Sequence, residues 1–244
     1  MRVSVVLPTY NEVGNIRELV RAIQVNVPNG WEPEILVVDD SSPDGTYQAV
    51  VEEFGDDSSV VPILRTTDRG FAKSIRAGME RATGDRIIVM DTDFTHDPVE
   101  IPRLLHLSDV YDLVSGSRFC PGGSMQDAKH YVASLAYNWY LRVLLRTQVQ
   151  DNLGGYFVIR REKLNRLPFD QIFFGYGEYF FRLLHFAQLS GLTIVEIPAQ
   201  YRVRTAGASK SNFFKMLFTY TRAAWALRVL IPRAAESRPR IDGH

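Results

Sequence analysis

Apolar positions in the first half of the chain fall into short unbroken runs, separated by stretches in which they recur every three to four residues. The runs at 3–7, 35–38, 60–65 and 86–90 predict buried strands, and the stretches at 15–24, 45–54 and 70–82 predict helices. Strand and helix alternating over short connections predict an α/β fold, with a mostly parallel central sheet covered by helices on both faces. The second half is less regular. Strands are expected at 113–117, 155–160 and 193–197, a turn at Pro121-Gly122-Gly123, and helices at 124–146, 177–189 and 211–231. No internal repeat or low-complexity linker interrupts this order.

Two of the later helices have unusual polar patterns. In 124–146, His130, Ser134, Asn138, Arg142 and Arg146 recur every four residues as one polar stripe on an apolar helix. In 211–231, Lys215 and Arg222 share a face, while Phe213, Phe214, Met216, Leu217, Tyr220, Leu227 and Ile231 spread round the rest. A wide apolar face with a narrow basic edge fits a helix lying in a lipid interface, the reading favoured here over packing on the sheet. The tail 232–244 is polar and expected to fray.

Composition narrows the possibilities. Lys plus Arg and Asp plus Glu both number 28, a balance that does not favour nucleic acid. The single cysteine, Cys120, excludes a disulfide framework and any multi-cysteine zinc site, and it fits a reducing, cytosolic setting. The first apolar run is too short for a signal peptide, and no run of 18 apolar residues is present to span a bilayer.

The candidate chemistry gathers just after strands. In open sheets of this kind ligands bind beyond the carboxyl ends of the strands. Three such ends carry polar loops: Pro8-Thr9-Tyr10-Asn11-Glu12, Asp39-Asp40-Ser41-Ser42-Pro43-Asp44 and Asp91-Thr92-Asp93-Phe94-Thr95-His96-Asp97. Carboxylates two residues apart can both aim outward only where a strand gives way to a loop. Asp91 and Asp93 there would make a hard, oxygen-rich site suited to Mg²⁺ or Mn²⁺, with open positions for diphosphate oxygens. Other readings coexist: Asn11 or Asn15 could cap the first helix and Asp44 or Thr46 the second, neither of which explains the Asp39-Asp40 pair. Arg118, after a later strand, could reach a diphosphate or pair with a nearby carboxylate. The basic, glycine-containing loop from Arg202 to Lys210 suits either a lid over phosphates or a solvated loop.

Taken in order, these segments resemble the family-2 glycosyltransferases of GT-A fold, and in particular their polyprenyl-phosphate mannose synthase branch. The resemblance rests on Val5–Glu12, Val37–Thr46, Met90–Pro98, Gly116-Ser117-Arg118-Phe119, Pro121-Gly122-Gly123 and Gly207-Ala208-Ser209-Lys210, and covers residues 3 to about 212. It implies a catalytic domain over 1–212, a C-terminal amphipathic helix at 213–231 that could be interfacial, and a flexible tail from 232. It implies further that Pro8, Tyr10, Glu12, Val38, Asp40, Asp91 and Thr92 bind a nucleotide sugar. Asp91 and Asp93, with Thr95 beside them, would hold Mg²⁺ or Mn²⁺, and Asp93, Arg118, Arg204 and Lys210 would serve transfer. The expected reaction is inverting transfer of a hexose, mannose from GDP-mannose in the first instance, to polyprenyl phosphate at the cytoplasmic face of a membrane. A UDP-glucose-type enzyme, a transferase with a soluble acceptor and a non-enzymatic sugar-nucleotide binder are the alternatives. The chain departs from the branch's pattern at Asp151-Asn152-Leu153-Gly154-Gly155-Tyr156, at Lys129-His130 and at Phe174-Gly175-Tyr176-Gly177-Glu178-Tyr179, where sugar and acceptor should be read.

Overall fold

A computed structural model describes residues 1–125, 128–201 and 213–230; the side chains of 128–130, 201, 213–215 and 230 are outside that description. Alternation of strand and helix builds the first half as the spacing predicts: β1 (Arg2–Thr9), α1 (Ile16–Asn26), β2 (Glu32–Asp39), α2 (Thr46–Phe54), β3 (Val60–Leu64), α3 (Phe71–Arg81) and β4 (Arg86–Val89). There follow a 3₁₀ turn (Pro98–Glu100), α4 (Ile101–Leu107), β5 (Leu113–Ser117), β6 (Ser124–Met125), α5 (Ala128–Leu145) and β7 (Phe157–Arg160). The described chain ends with α6 (Arg161–Leu164), α7 (Phe169–Ile172), α8 (Tyr179–Leu189), β8 (Ile194–Pro198), β9 (Gln200–Tyr201) and α9 (Phe213–Leu230).

The seven-stranded sheet runs β3-β2-β1-β4-β7-β5-β8. All neighbours are parallel except β7, which lies antiparallel between β4 and β5. Both faces are covered, and β1 serves both: Val3, Val5 and Leu7 point to one layer and Val6 to the other. On the first face α1 buries Ile16, Leu19, Val20 and Ile23, a 3.6-residue pattern stabilising the helix by about 1.5–3 kcal/mol per side chain. On the second, α3 lies so close that a Cβ on Gly78 would stand 2.4 Å from Val6 Cγ1. The same layer takes Leu141 and Leu145 of α5, Phe180, Phe181 and Leu184 of α8, and Tyr220, Ala224 and Leu227 of α9.

Two expectations are revised. The long helix begins at Ala128, because Ser124–Met125 instead pairs in parallel with Gln200–Tyr201 as a separate two-stranded sheet. The four-residue stripe on α5 is not one solvent face: Asn138 is buried, donating to the Ser134 carbonyl at 2.9 Å and accepting from Asn152 N at 2.7 Å. The exposed side of α5 is apolar, carrying Val132, Leu135, Trp139 and Val143. The turn and helix at 98–107 were not expected, although Asp97 accepting from Val99 N at 3.1 Å, with Pro98 next, is an ordinary helix start.

Candidate active site

The three loops come together at the carboxyl ends of the neighbouring strands β2, β1 and β4. β1 and β4 flank the point where the strand order reverses, the place where open sheets form a ligand crevice, and their pairing stops at Val6↔Val89. Met90 N still donates to Val6 O at 3.4 Å, so the next residue of β1 facing that way is Pro8. Proline has no N–H, and it sits where such a donor would lose its strand partner. On the other side β1 stays joined to β2, with Asp40 N donating to Thr9 O at 3.1 Å.

Loop one is stitched to loop two. Asn11 N donates to Ser42 Oγ at 2.9 Å, and the Ser42 hydroxyl donates to Asp39. Glu12 N donates to Thr46 Oγ1 at 2.9 Å, and that hydroxyl donates to Asp44 Oδ1 at 2.6 Å. Asp44 also accepts from Thr46 N at 3.0 Å and from Val13 N at 3.1 Å, so it closes the start of α2 and reaches across to loop one. Burial pushes its carboxyl pKa up, but the bonds from Thr46 and Val13 outweigh this and hold it below the ordinary value. Asn15 stands at the start of α1 without a side-chain cap bond and donates instead to Glu12 Oε2 at 2.9 Å.

The structure accounts for the Asp39-Asp40 pair. Asp39, fully buried, accepts from Ser42 N at 2.8 Å as well as from its hydroxyl. Asp40 accepts from Arg65 Nη1 and from Gly70 N at 2.6 Å, drawing the loop after β3 onto the site. Arg65 also donates to Ser74 Oγ at 2.8 Å. Val38, expected among the nucleotide contacts, is placed just before loop two, at the end of β2. It lies in the core with its strand hydrogen-bonded between β1 and β3, and its side chain packs beneath Gly78. Tyr10, 43 % exposed, projects from the lip of the crevice with Glu12 nearby in loop one.

The third loop carries the paired carboxylates. Asp93 is buried, and its Oδ1 accepts from Thr95 N at 3.1 Å and Thr95 Oγ1 at 2.6 Å. Thr95 therefore aims a carboxylate of the pair. Thr92 between them is buried, while the Asp91 side chain is 37 % exposed. His96 was given no role by sequence reasoning and proves central to this loop. Its Nδ1 accepts from Asp91 N at 2.8 Å, its ring stacks on Tyr156 at 4.9 Å, and Gly154 contributes a backbone hydrogen bond. Burial depresses its pKa, keeping the imidazole neutral, and only a neutral imidazole can accept at Nδ1. The legible signal was a histidine three residues after the second aspartate of a strand-end pair.

Of the five described residues other than glycine with left-handed backbone, four lie on this edge: φ is 59° at Asn11, 56° at Ser41, 61° at Phe94 and 51° at Asp68, and the fifth is Arg146 after α5. Such conformations cost on the order of 1–3 kcal/mol each and collect where a fold fixes loops for chemistry. Among the described residues no group of three or more His, Cys, Asp or Glu gathers as a metal cage. Asp91 and Asp93 nevertheless fit a hard divalent ion. Two carboxylates at one strand end, one aimed by Thr95 and one partly exposed, supply oxygen ligands and leave other positions to water or substrate.

Arg118 is held in an ion pair. Its Nε and Nη2 donate to Asp151 Oδ2 and Oδ1 at 2.8 and 2.7 Å, and its main-chain N donates to the same carboxylate at 3.0 Å. Both residues are buried, so the pair fixes the Asp151-Asn152 loop beside β5. Arg204 and Lys210, the other cations expected in catalysis, lie outside the described residues.

The sequence profile of Glycosyl transferase family 2 matches residues 4–167. An undecaprenyl-phosphate mannosyltransferase of Micrococcus luteus is 36% identical over 87% of this chain and 88% of its own length. A polyprenol monophosphomannose synthase of Mycolicibacterium smegmatis is 34% identical over 96% and 90%. A dolichol-phosphate mannosyltransferase of Pyrococcus furiosus is 32% identical over 93% of this chain, which spans 64% of that relative's length. In structure the chain is similar to glucosyl-3-phosphoglycerate synthase from Mycobacterium tuberculosis, solved with Mn²⁺, UDP and glucosyl-3-phosphoglycerate. The TM-score is 0.71 at 20% identity, covering 96% of this chain and 81% of that one. The same synthase has been solved with Mg²⁺ and UDP. At that identity the likeness speaks for the GT-A fold alone. With strand-end carboxylates, stitched loops and a profile match over most of its length, this chain belongs to glycosyl transferase family 2.

Proposed function

We propose that this glycosyltransferase moves mannose from GDP-mannose to polyprenyl phosphate with inversion, working at a membrane surface. The observation that carries the reading is the Asp91/Asp93 pair at the mouth of the β1–β4 crevice, in a chain at least 32% identical to three polyprenyl-phosphate mannosyltransferases. Tyr10 and Glu12 on the lip would take the nucleoside, with Asp40 as a wall behind them. Mg²⁺ or Mn²⁺ held by Asp91 and Asp93 would supply Lewis-acid stabilisation of the departing diphosphate. The acceptor phosphate is already an oxyanion near neutral pH. It forms the new bond to the anomeric carbon as the bond to the diphosphate oxygen breaks, so the protein need not remove a proton. What the protein must do is hold two anions together, and Arg204 and Lys210 are proposed for that.

The membrane reading draws on two neighbouring helices. Tyr137 of α5 hydrogen-bonds Thr221 of α9, and each helix leaves an apolar strip outward: Val132, Leu135, Trp139 and Val143 on one, Phe218, Trp225 and Val229 on the other. Neither 18-residue helix contains Asp or Glu, although the whole chain is charge-balanced. Arg142, Arg146, Arg222 and Arg228 are exposed on or next to them. Aromatic and aliphatic groups edged only by cations suit the surface of an anionic bilayer. Leu217, expected on the lipid side, is half-buried, so the outward strip runs through Phe218 instead. No helix among the described residues is long and apolar enough to cross a membrane.

A panel of sugar nucleotides with Mn²⁺ or Mg²⁺, assayed on polyprenyl phosphate in detergent, tests the reading. GDP plus Mn²⁺ should raise the Tm more than GDP alone, since metal and diphosphate are to share one site. Stronger stabilisation by UDP, with turnover of UDP-glucose, would replace the mannose assignment by the glucose one.

A further inference from the structure

A groove of about 570 Å³ runs between α9 and the segment from α7 to α8. Its volume lies in the range of small-molecule sites, about 300–1,000 Å³. Phe174, Phe186, Phe218, Ala223, Ala226 and Leu227 make most of its surface apolar. The charges beneath are matched internally. Arg182 Nη2 lies 3.7 Å from Glu178 Oε1, its Nη1 donates to Phe174 O at 2.8 Å, and its guanidinium lies 3.6 Å over the Phe174 ring. Glu178 in turn accepts from Tyr176 N at 2.9 Å. A cation and a carboxylate so paired leave a floor with no net charge to attract an anion, whereas the aromatic and aliphatic walls favour a hydrocarbon.

Two connections say which hydrocarbon. At its outer end the groove is bordered by Phe218 and Arg222, and Phe218 also belongs to the outward strip of α9, so the groove opens sideways onto the surface proposed to meet lipid. The Phe174–Tyr179 segment, of which Phe174 and Glu178 line the groove, touches the candidate site through its remaining residues. The Tyr179 hydroxyl lies against Gly155, close enough to Asp91 for that carboxylate's charge to act on the phenol. Tyr176 packs on Phe71 with centroids 5.1 Å apart, next to the Gly70 N–H that holds Asp40. A chain lying in the groove therefore leads from the bilayer side toward the carboxylates within a few residues of α8.

We propose that this groove takes the isoprenoid chain of the acceptor, so that chain length past the phosphate is read by α8 and α9. The inference rests on the acceptor class proposed above. The test is Ala226→Trp, which fills the groove from α9, with Ala223→Phe as an independent second filling. Wild type should use a long-chain polyprenyl phosphate with a KM at least tenfold lower than a two-isoprene phosphate. Each variant should erase that preference by raising the long-chain KM at least tenfold, with the short acceptor's kcat/KM within twofold. An unchanged Tm shift with GDP and Mn²⁺, together with unchanged binding to phosphatidylglycerol vesicles, would show that fold, donor site and surface docking are intact. Direct binding of geranylgeranyl against geranyl phosphate reads the groove without turnover. Chain-length-dependent binding lost in both variants supports the groove even if the transfer reaction proves to be another one. Parallel loss on both acceptors, retention of the preference in both variants, or equal binding of long and short chains by wild type overturns it.

Discussion

Replacing Asp93 by Asn and by Ala separates what this side chain does for the loop from what it does for chemistry. Its Oδ1 accepts from Thr95 N at 3.1 Å and Thr95 Oγ1 at 2.6 Å. Asn keeps an oxygen there; Ala removes both bonds. At about 1 kcal/mol per hydrogen bond, Ala forfeits about 2 kcal/mol. Relief of repulsion between Asp91 and Asp93 returns on the order of 1 kcal/mol if the pair is screened as in water. For a chain of this size 1 kcal/mol moves the Tm by about 2–4 °C, so Ala should lower it by a few degrees and Asn should leave it level or slightly raised. Transfer should fall in both by on the order of 10³-fold, about 4 kcal/mol, because one neutral group removes half of the paired charge that would hold the metal and diphosphate. Thermal melting and steady-state transfer with saturating Mn²⁺ read the two effects. Transfer by Asp93→Asn within tenfold of wild type would refute the metal assignment, and an Asn variant melting as low as the Ala variant would refute the hydrogen-bond account.

Three further outcomes follow from named contacts. Asp151→Ala should cost about 3–5 kcal/mol in urea unfolding, because it leaves the buried Arg118 guanidinium without its bidentate partner, and Arg118→Met in the same chain should recover much of that loss. At Glu34 burial pushes the carboxyl pKa up, yet bonds from Ser4 and Thr83 and the nearby Arg2 outweigh it and hold the folded value below 4.5. That contribution is present above pH 4.5 and lost as pH falls through the lower folded value. Melting followed from about pH 6 to about pH 3 should therefore be less acid-sensitive in Glu34→Gln than in wild type. Anionic vesicles should shift the tryptophan emission to shorter wavelength, since Trp139 and Trp225 are 66% and 52% exposed on the outward strips. Changing both to Ala should weaken vesicle binding on the order of tenfold, and high salt should weaken it without abolishing it; neutral vesicles binding as well as anionic ones would remove the arginines from the argument.

What the sequence determined by itself is the class of fold and the edge on which its polar strand-end loops gather. Short-range pattern suffices for this: the runs at 3–7, 35–38 and 86–90 are apolar on both faces because parallel strands are covered on both, and polar loops after them must share one edge. The hold of Thr95 on Asp93 and the helix-start function of Asp44 are likewise local, set by residues two positions apart. Only the tertiary structure decided how the other charges are spent. Asp40 meets Arg65 and Gly70 across 25 and 30 residues, and Arg118 meets Asp151 across 33. A sequence written in order cannot show such partners, and a buried charge is held by whichever partner the fold brings within reach. The same holds for helix faces. Periodicity proposed a polar stripe on α5, but which side of a helix is outside depends on what packs against it. The Asn152 loop and α9 cover the side bearing Asn138 and Tyr137, leaving Trp139 in the open.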